Sequence, residues 1–198
     1  MYRNQIQYDR GHLVPSKTYS SSQERRDSTF TYTNAVPQHS SWNGGDWSQF
    51  EKRIRRYARE KCTTQLVPAL GHPYGMLYLL TGTSFARIQK HLDGTIQGIP
   101  GVPIKYLQQI TIPNSLWTAG CCVREDGNSV SFAVMGNNVP KDDQESLTLQ
   151  ITVKELQNIL AADVFNRGIG QKNVVLFPGD PDCALYNMGD LPLPGVGR

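Results

Sequence analysis

A chain of 198 residues with 38% hydrophobic and 19% charged side chains is sized and composed for one globular domain with its own core. Those proportions exclude intrinsic disorder, and no apolar run reaches the length of a membrane-spanning helix. The net charge of +3 is unevenly spread: residues 1–61 hold 11 of the 20 Lys+Arg but only 6 of the 17 Asp+Glu, so the first third is the part that attracts a polyanion.

Residues 1–40 read as loop and short strand. Over 29–33, β-branched and aromatic residues alternate and predict a strand, and 34–38 then turns through Pro37. Residues 46–61 predict a helix, with Trp47, Phe50, Ile54, Tyr57 and Ala58 on one apolar face. Asn43-Gly44-Gly45 lies at its start, and basic residues crowd its last turns, where they suit the helix dipole. Strands are expected over 76–81, 104–112, 116–123, 129–135 and 147–152, separated by Gly- and Pro-rich loops. Thr152-Val153-Lys154-Glu155 is a capping box that opens a second helix through Leu156, Ile159, Leu160 and Val164. From Phe177 the chain is rich in Pro, Gly and Asp and reads as irregular surface. The fold class is mixed α+β.

Four cysteines, Cys62, Cys121, Cys122 and Cys183, lack the C-x-x-C spacing of a structural zinc site. They are either buried thiols or two disulfides formed in an oxidising compartment. A bond between the adjacent Cys121 and Cys122 would strain the peptide, so in the second case each reaches a distant partner. The chain opens Met1-Tyr2-Arg3-Asn4 with no apolar leader. That start is read either as a cytoplasmic protein or as a sequence short of its N-terminal part.

Two segments carry chemistry. Tyr8-Asp9-Arg10-Gly11-His12-Leu13 places an arginine beside a histidine. Histidine side chains exchange protons near neutrality, and arginine holds phosphate oxygens in a bidentate grip. Asp9 is suited to orient a neighbour by accepting a hydrogen bond. The second segment steps by four through Asn43, Trp47, Glu51 and Arg55, which predicts one stripe along the helix. An Asn carbonyl is a hard oxygen donor for Mg²⁺, and a carboxylate further along can hold one of the ion's waters. Taken singly, each feature has a plainer reading: Asn43 as a helix N-cap, Glu51 as an ion pair with Arg55, and His12 as a surface histidine. His39, His72 and His91 read as surface or hydrogen-bonded side chains, and Asp142-Asp143 as a solvated turn. Asp180 and Asp182 are a weak calcium suggestion.

In combination, Asp9-Arg10-Gly11-His12, Thr33-Asn34-Ala35-Val36-Pro37-Gln38 and Asn43-x-x-x-Trp47-x-x-x-Glu51 resemble the DNA/RNA non-specific endonucleases, which include Serratia-type nucleases and endonuclease G. Tyr78-Leu79-Leu80-Thr81-Gly82 resembles the core strand and turn that follow. The stretch from Pro113 to Cys122 looks most like the animal endonuclease domain-containing 1 branch, whose members are typically secreted. The resemblance is strongest over 8–60 and looser to about 180.

It implies a ββα-metal fold with a central, mostly antiparallel sheet, in one domain over 1–198: the active-site motif at 8–60, sheet and helix at 62–176, tail at 177–198. It also implies His12 as general base, Asn43 as direct Mg²⁺ ligand (with Mn²⁺ as a substitute), and Glu51 as holder of a metal-bound water. Arg10 and Arg55 would contact phosphate, and Asn34, in a buried strand, would position His12. The implied partners are DNA and RNA, cut to 5′-phosphate products without sequence preference. Gly44 stands where the family commonly has Gln, and Trp42 is bulkier than the usual residue. Eight residues precede Asp9 where family domains carry core strands, which leaves open whether the N-terminal strands are lacking. Two other readings are a catalytically silent nucleic-acid-binding module on the same fold and an extracellular interaction domain.

Overall fold

The computed structural model describes residues 7–19, 22–62, 75–101, 106–107, 110–124, 129–166, 168, 173–185 and 191. Strands β1 (Tyr8–His12) and β2 (Ala35–His39) pair antiparallel, with Asp9 opposite Gln38 and His12 opposite Ala35. Short helical turns lie between them, including α1 (Gln23–Asp27), where the Arg25 N–H donates to the Ser22 hydroxyl. From β2 the backbone passes directly into helix: α2 (Ser40–Trp42), a π-helical turn (Asn43–Trp47) and α3 (Ser48–Glu60). Strand β3 (Gly75–Ser84) follows, then a hairpin of β4 (Arg87–Lys90) and β5 (Ile96–Ile99). Two short strands, β6 (Tyr106–Leu107) and β7 (Ile110–Thr111), pair with each other. Strands β8 (Ser115–Arg124), β9 (Ser129–Asn137) and β10 (Thr148–Ile151) complete an antiparallel sheet in the order β10-β9-β8-β3. Helices α4 (Val153–Asn166) and α5 (Asp182–Leu185) come last.

The sheet is the middle of three layers. Alternate residues of its central strands point to opposite faces. Leu116, Cys122, Phe132 and Val134 meet Trp42, Trp47, Ile54 and Tyr57 from the helical segment on one side. Ala119, Ala133 and Met135 meet Leu156, Ile159 and Leu160 of α4 on the other. Burial on both faces explains why β8 and β9 read as nearly continuous apolar runs instead of alternating ones. Gly136 is one position where a side chain would not fit: a Cβ there would press on the Trp42 ring, whose Nε1 donates to Thr148 Oγ1 at 2.8 Å.

The capping box forms as its sequence predicts. Thr152 N–H and Oγ1 donate to Glu155 Oε2 at 2.7 and 2.8 Å, and Glu155 N–H donates to Thr152 Oγ1 at 3.0 Å. Thr152→Ala removes both side-chain bonds and is expected to cost about 1 kcal/mol in urea unfolding, with Thr152→Ser retaining most of it.

The cysteines form two disulfides, Cys62–Cys122 and Cys121–Cys183, with Cα separations of 5.9 and 5.6 Å. Adjacent strand residues face opposite sides, so Cys122 reaches the end of α3 while Cys121 reaches α5.

Three expectations need correction. Residues 29–33 are not a strand. Phe30 N–H donates to Asp27 O and Thr29 Oγ1 to Arg26 O, closing turns, and the strand is β2, which runs through Pro37. Proline is tolerated because β2 belongs to a two-stranded sheet and needs no ladder bond on both sides. The helix begins at Ser40, well before residue 46, so Asn43 opens a π turn inside a continuous helical run and is not an N-cap of the helix. The tail is more than surface chain where it is described: Cys183 and Leu191 are buried, and Leu191 joins the core beneath α3. The expected strand over 104–112 is represented by β6 and β7, with Ile112 buried just after β7; residues 104–105 and 108–109, like His72, lie outside the described residues.

Candidate active site

Strand β1 and the start of the helical segment are laced together through one carboxylate. Asp9 Oδ1 accepts from Ser40 Oγ at 2.8 Å, and Asp9 Oδ2 accepts from Asn43 Nδ2 at 3.0 Å. Ser40 N–H also donates to Gln7 O at 2.8 Å. Gly11 is required beside this junction, because a Cβ would overlap the Gln38 side chain. That side chain is fully buried and donates from Nε2 to His12 O at 3.3 Å. Asn138, at the end of β9, ties the unit to the sheet: it accepts from His39 N–H at 2.7 Å and donates from Nδ2 to Pro37 O and Pro113 O. His39 is buried, with its Nδ1 3.1 Å from Ser41 Oγ.

Asn34 ends the 3-10 turn before β2, where a strand residue was expected. Its side chain acts in place of a ladder partner. Oδ1 accepts from Val14 N–H at 2.8 Å, while Nδ2 donates to Val14 O at 3.0 Å and Thr29 O at 2.8 Å. Leu13 N–H donates to Asn34 O at 2.9 Å. The backbone on either side of His12 is thus held by Gln38 and Asn34. The half-buried His12 ring meets Phe30 edge-on at 4.9 Å between centroids, and Arg10 is exposed on the same strand.

Trp47, Glu51 and Arg55 do share one stripe. They line a cleft of about 350 Å³ together with Leu13, Pro15, Lys17, Arg59 and Leu79. Asn43 is not among the cleft residues, because Gly45 leaves helical geometry (φ −98°, ψ −113°) and interrupts the step of four. Burial raises the Glu51 carboxyl to about 7, against the opposing pull of Arg55, Lys17 and Lys52. Arg55 Nη1 stands 3.9 Å from Glu51 Oε2, and desolvation lowers the Arg55 guanidinium from its usual range.

With a folded value above the unfolded one, Glu51 stabilises the fold fully below about pH 4.5, and that contribution disappears as pH rises through about 7. Metal-free protein is therefore expected to lose on the order of 2–3 kcal/mol between pH 5 and 8 from this group, and Glu51→Gln to flatten that slope. Urea unfolding in EDTA at the two pH values measures it; equal slopes in both proteins would contradict the assignment.

The predicted residues thus fall into three linked places: Arg10 and His12 on β1, Asn43 at the Asp9 junction, and Glu51 with Arg55 in the cleft. Among the described residues no hydrogen bond joins His12 to Asn43 or Glu51; Asp9 and His12 lie about 10 Å apart along the strand. Ser40, Gln38, Asn138, Lys17 and Arg59 were not anticipated. The signals in sequence were the basic character of Lys17 and Arg59 and the place of Gln38 at the end of the Thr33–Gln38 motif. Two basic residues of α3 are committed elsewhere: Arg53 donates to Leu191 O and stacks 4.7 Å from the Phe50 ring centre, and Arg56 pairs with Glu60. Asp180 lies beside Cys121 and Cys183, but these sulfurs are joined to each other, and the carboxylate accepts from Ser129 at 2.5 Å.

A strand pair feeding a helix, packed on an antiparallel sheet, is the architecture of the ββα-metal nucleases. The chain belongs to the DNA/RNA non-specific endonuclease family, whose profile matches residues 1–168. It is similar to a nuclease of Nostoc sp., 25% identical over 164 residues, which span 79% of this chain and 50% of the relative. Its fold is similar to that in the crystal structure of the EndoG/EndoGI complex, a study of the mechanism of EndoG inhibition, with a TM-score of 0.53 and 20% identity over 79% of this chain and 58% of that one. The chain thus spans about half the length of the Nostoc relative.

Proposed function

We propose that the protein is a Mg²⁺-dependent, sequence-non-specific endonuclease that hydrolyses phosphodiester bonds of DNA and RNA to 5′-phosphate products. The observation that carries this reading is the hydrogen bond from Asn43 to Asp9, which joins the Asp-Arg-Gly-His strand to the Asn/Glu helix.

The donor set fits a hard cation. An ionised carboxylate only accepts, so Asp9 fixes the Asn43 amide with its NH₂ toward Oδ2 and leaves the carbonyl oxygen as the donor for a metal. One protein oxygen supplemented by waters suits Mg²⁺, and Mn²⁺ takes the same ligands. When bound, the ion would stabilise charge on the phosphate and the leaving 3′-oxygen. Glu51 would hold a water of its shell. His12 takes a proton from the attacking water. Arg10, exposed on β1, and Arg55, in the cleft, grip non-bridging phosphate oxygens. Asn34 keeps the His12 backbone in register through its bonds to Val14. Phosphate contacts carry no sequence information, hence the lack of sequence preference. Residues 1–198 act as one domain in this reading, and the two disulfides favour an oxidising, extracellular setting.

Incubation with supercoiled plasmid and with RNA tests the reading. Both should be cut in Mg²⁺, and the fragments should carry 5′-phosphates. Fragments with 5′-hydroxyls, or salt-sensitive binding without cutting, would contradict it. Asp9→Ala frees the Asn43 amide and is expected to weaken Mn²⁺ binding about 10–100-fold, measured by paramagnetic resonance of free Mn²⁺.

A further inference from the structure

The cleft beside Glu51 is larger and more apolar than a phosphate clamp needs. Leu13, Pro15, Ile54, Ala58 and Leu79 form its walls, and Lys17, Arg55 and Arg59 bring three cations to the same space. Lys17 and Arg59 are exposed, and Leu79 is 40% exposed although it belongs to a sheet strand. A volume of about 350 Å³ is at the small end of ligand clefts. It accommodates one nucleotide, and a stretch of duplex does not enter it.

Charge and polarity specify the occupant. A nucleotide offers an apolar base face and an anionic phosphate within one unit, which matches an apolar wall beside a cationic cluster. In a duplex both base faces are covered by stacked neighbours, so the wall has nothing to cover unless the base is first unpaired. Resting on the nuclease reading above, we infer that this cleft takes a single unpaired nucleotide of the substrate, with its base against Leu13, Pro15 and Leu79 and its phosphate on Lys17, Arg55 and Arg59. The protein therefore prefers single strands over duplexes of the same sequence, although it reads no bases. Lys17 and Arg59 lie outside the catalytic motifs whereas Arg55 serves both readings, so the preference is tested at the apolar wall and not at Arg55.

The test is binding in EDTA, where no cutting is expected. A fluorescein-labelled 12-nucleotide strand of mixed sequence and its blunt duplex are titrated with the full chain by anisotropy, at one fixed salt concentration. The single strand is expected to bind about tenfold more tightly. Ala58→Phe, which fills the cleft, should bring the ratio within about twofold of one, and Leu79→Gln, which removes wall without adding bulk, should reduce it in the same direction. Far-ultraviolet dichroism checks that each variant is folded. Equal affinities in the parent protein, tighter duplex binding, no binding of either, or variants that weaken both ligands alike would overturn the inference. Plasmid cutting in Mg²⁺ is scored separately. Cutting without a strand preference leaves the nuclease reading intact and removes this one; a cleft-dependent preference without cutting does the reverse.

Discussion

His12→Ala is expected to slow plasmid cleavage about 10²–10⁴-fold, the usual share of a general base, while DNA binding in EDTA stays within about twofold of the parent. Among the described residues the ring meets Phe30 edge-on, and the backbone around it is held by Gln38 and Asn34. Its removal therefore leaves the strand in place and takes away only the proton acceptor. Arg10, Asn43 and Glu51 remain, so residual metal-dependent cutting should persist, and added imidazole should restore part of the rate. A loss under about tenfold would move the base elsewhere.

Removing the Cys62–Cys122 disulfide is expected to have the largest effect on stability. It closes a 60-residue separation and anchors the end of α3 to the central strand β8. Chain-entropy reasoning gives about 4 kcal/mol for a loop of that length, within a usual range of 2–5 kcal/mol. The Cys62→Ser/Cys122→Ser pair should lower the unfolding temperature by at least about 8 °C. Glu51 and Arg55 sit on the released helix, so cleavage should decline along with stability. An unchanged unfolding temperature would show that the packing of Trp47, Ile54 and Tyr57 holds α3 alone.

The parts of the site that were legible in sequence are local. Asp9 to His12 lie on one strand, and Trp47, Glu51 and Arg55 keep helical spacing, so their placement could be read from local pattern. The capping box at Thr152 and Glu155 succeeded for the same reason, since its bonds span three residues. What was missed depends on distant partners. Residues 29–33 have strand-like composition, but the Asn34 side chain takes up the backbone groups of Val14 and Thr29 and leaves a turn there. The two glycines after Asn43 suggested a helix start, yet Trp42 is buried against Gly136 of the sheet and draws the helix back to Ser40. The tail looked like surface because its Pro and Gly content hides one anchoring disulfide and the Arg53 bond to Leu191. Lys17 enters the cleft only because the loop after His12 folds back over α3.

The central claim is that Asn43 seats a catalytic divalent ion. The most direct measurement is the rate of plasmid cleavage across a Mg²⁺ titration for the parent protein and Asn43→Ala. The parent should be inactive in EDTA and saturate with Mg²⁺, and Asn43→Ala should be slower by about 100-fold or more at the same Mg²⁺ concentration. Cutting that survives EDTA, or an Asn43→Ala titration that overlays the parent's, would contradict the claim.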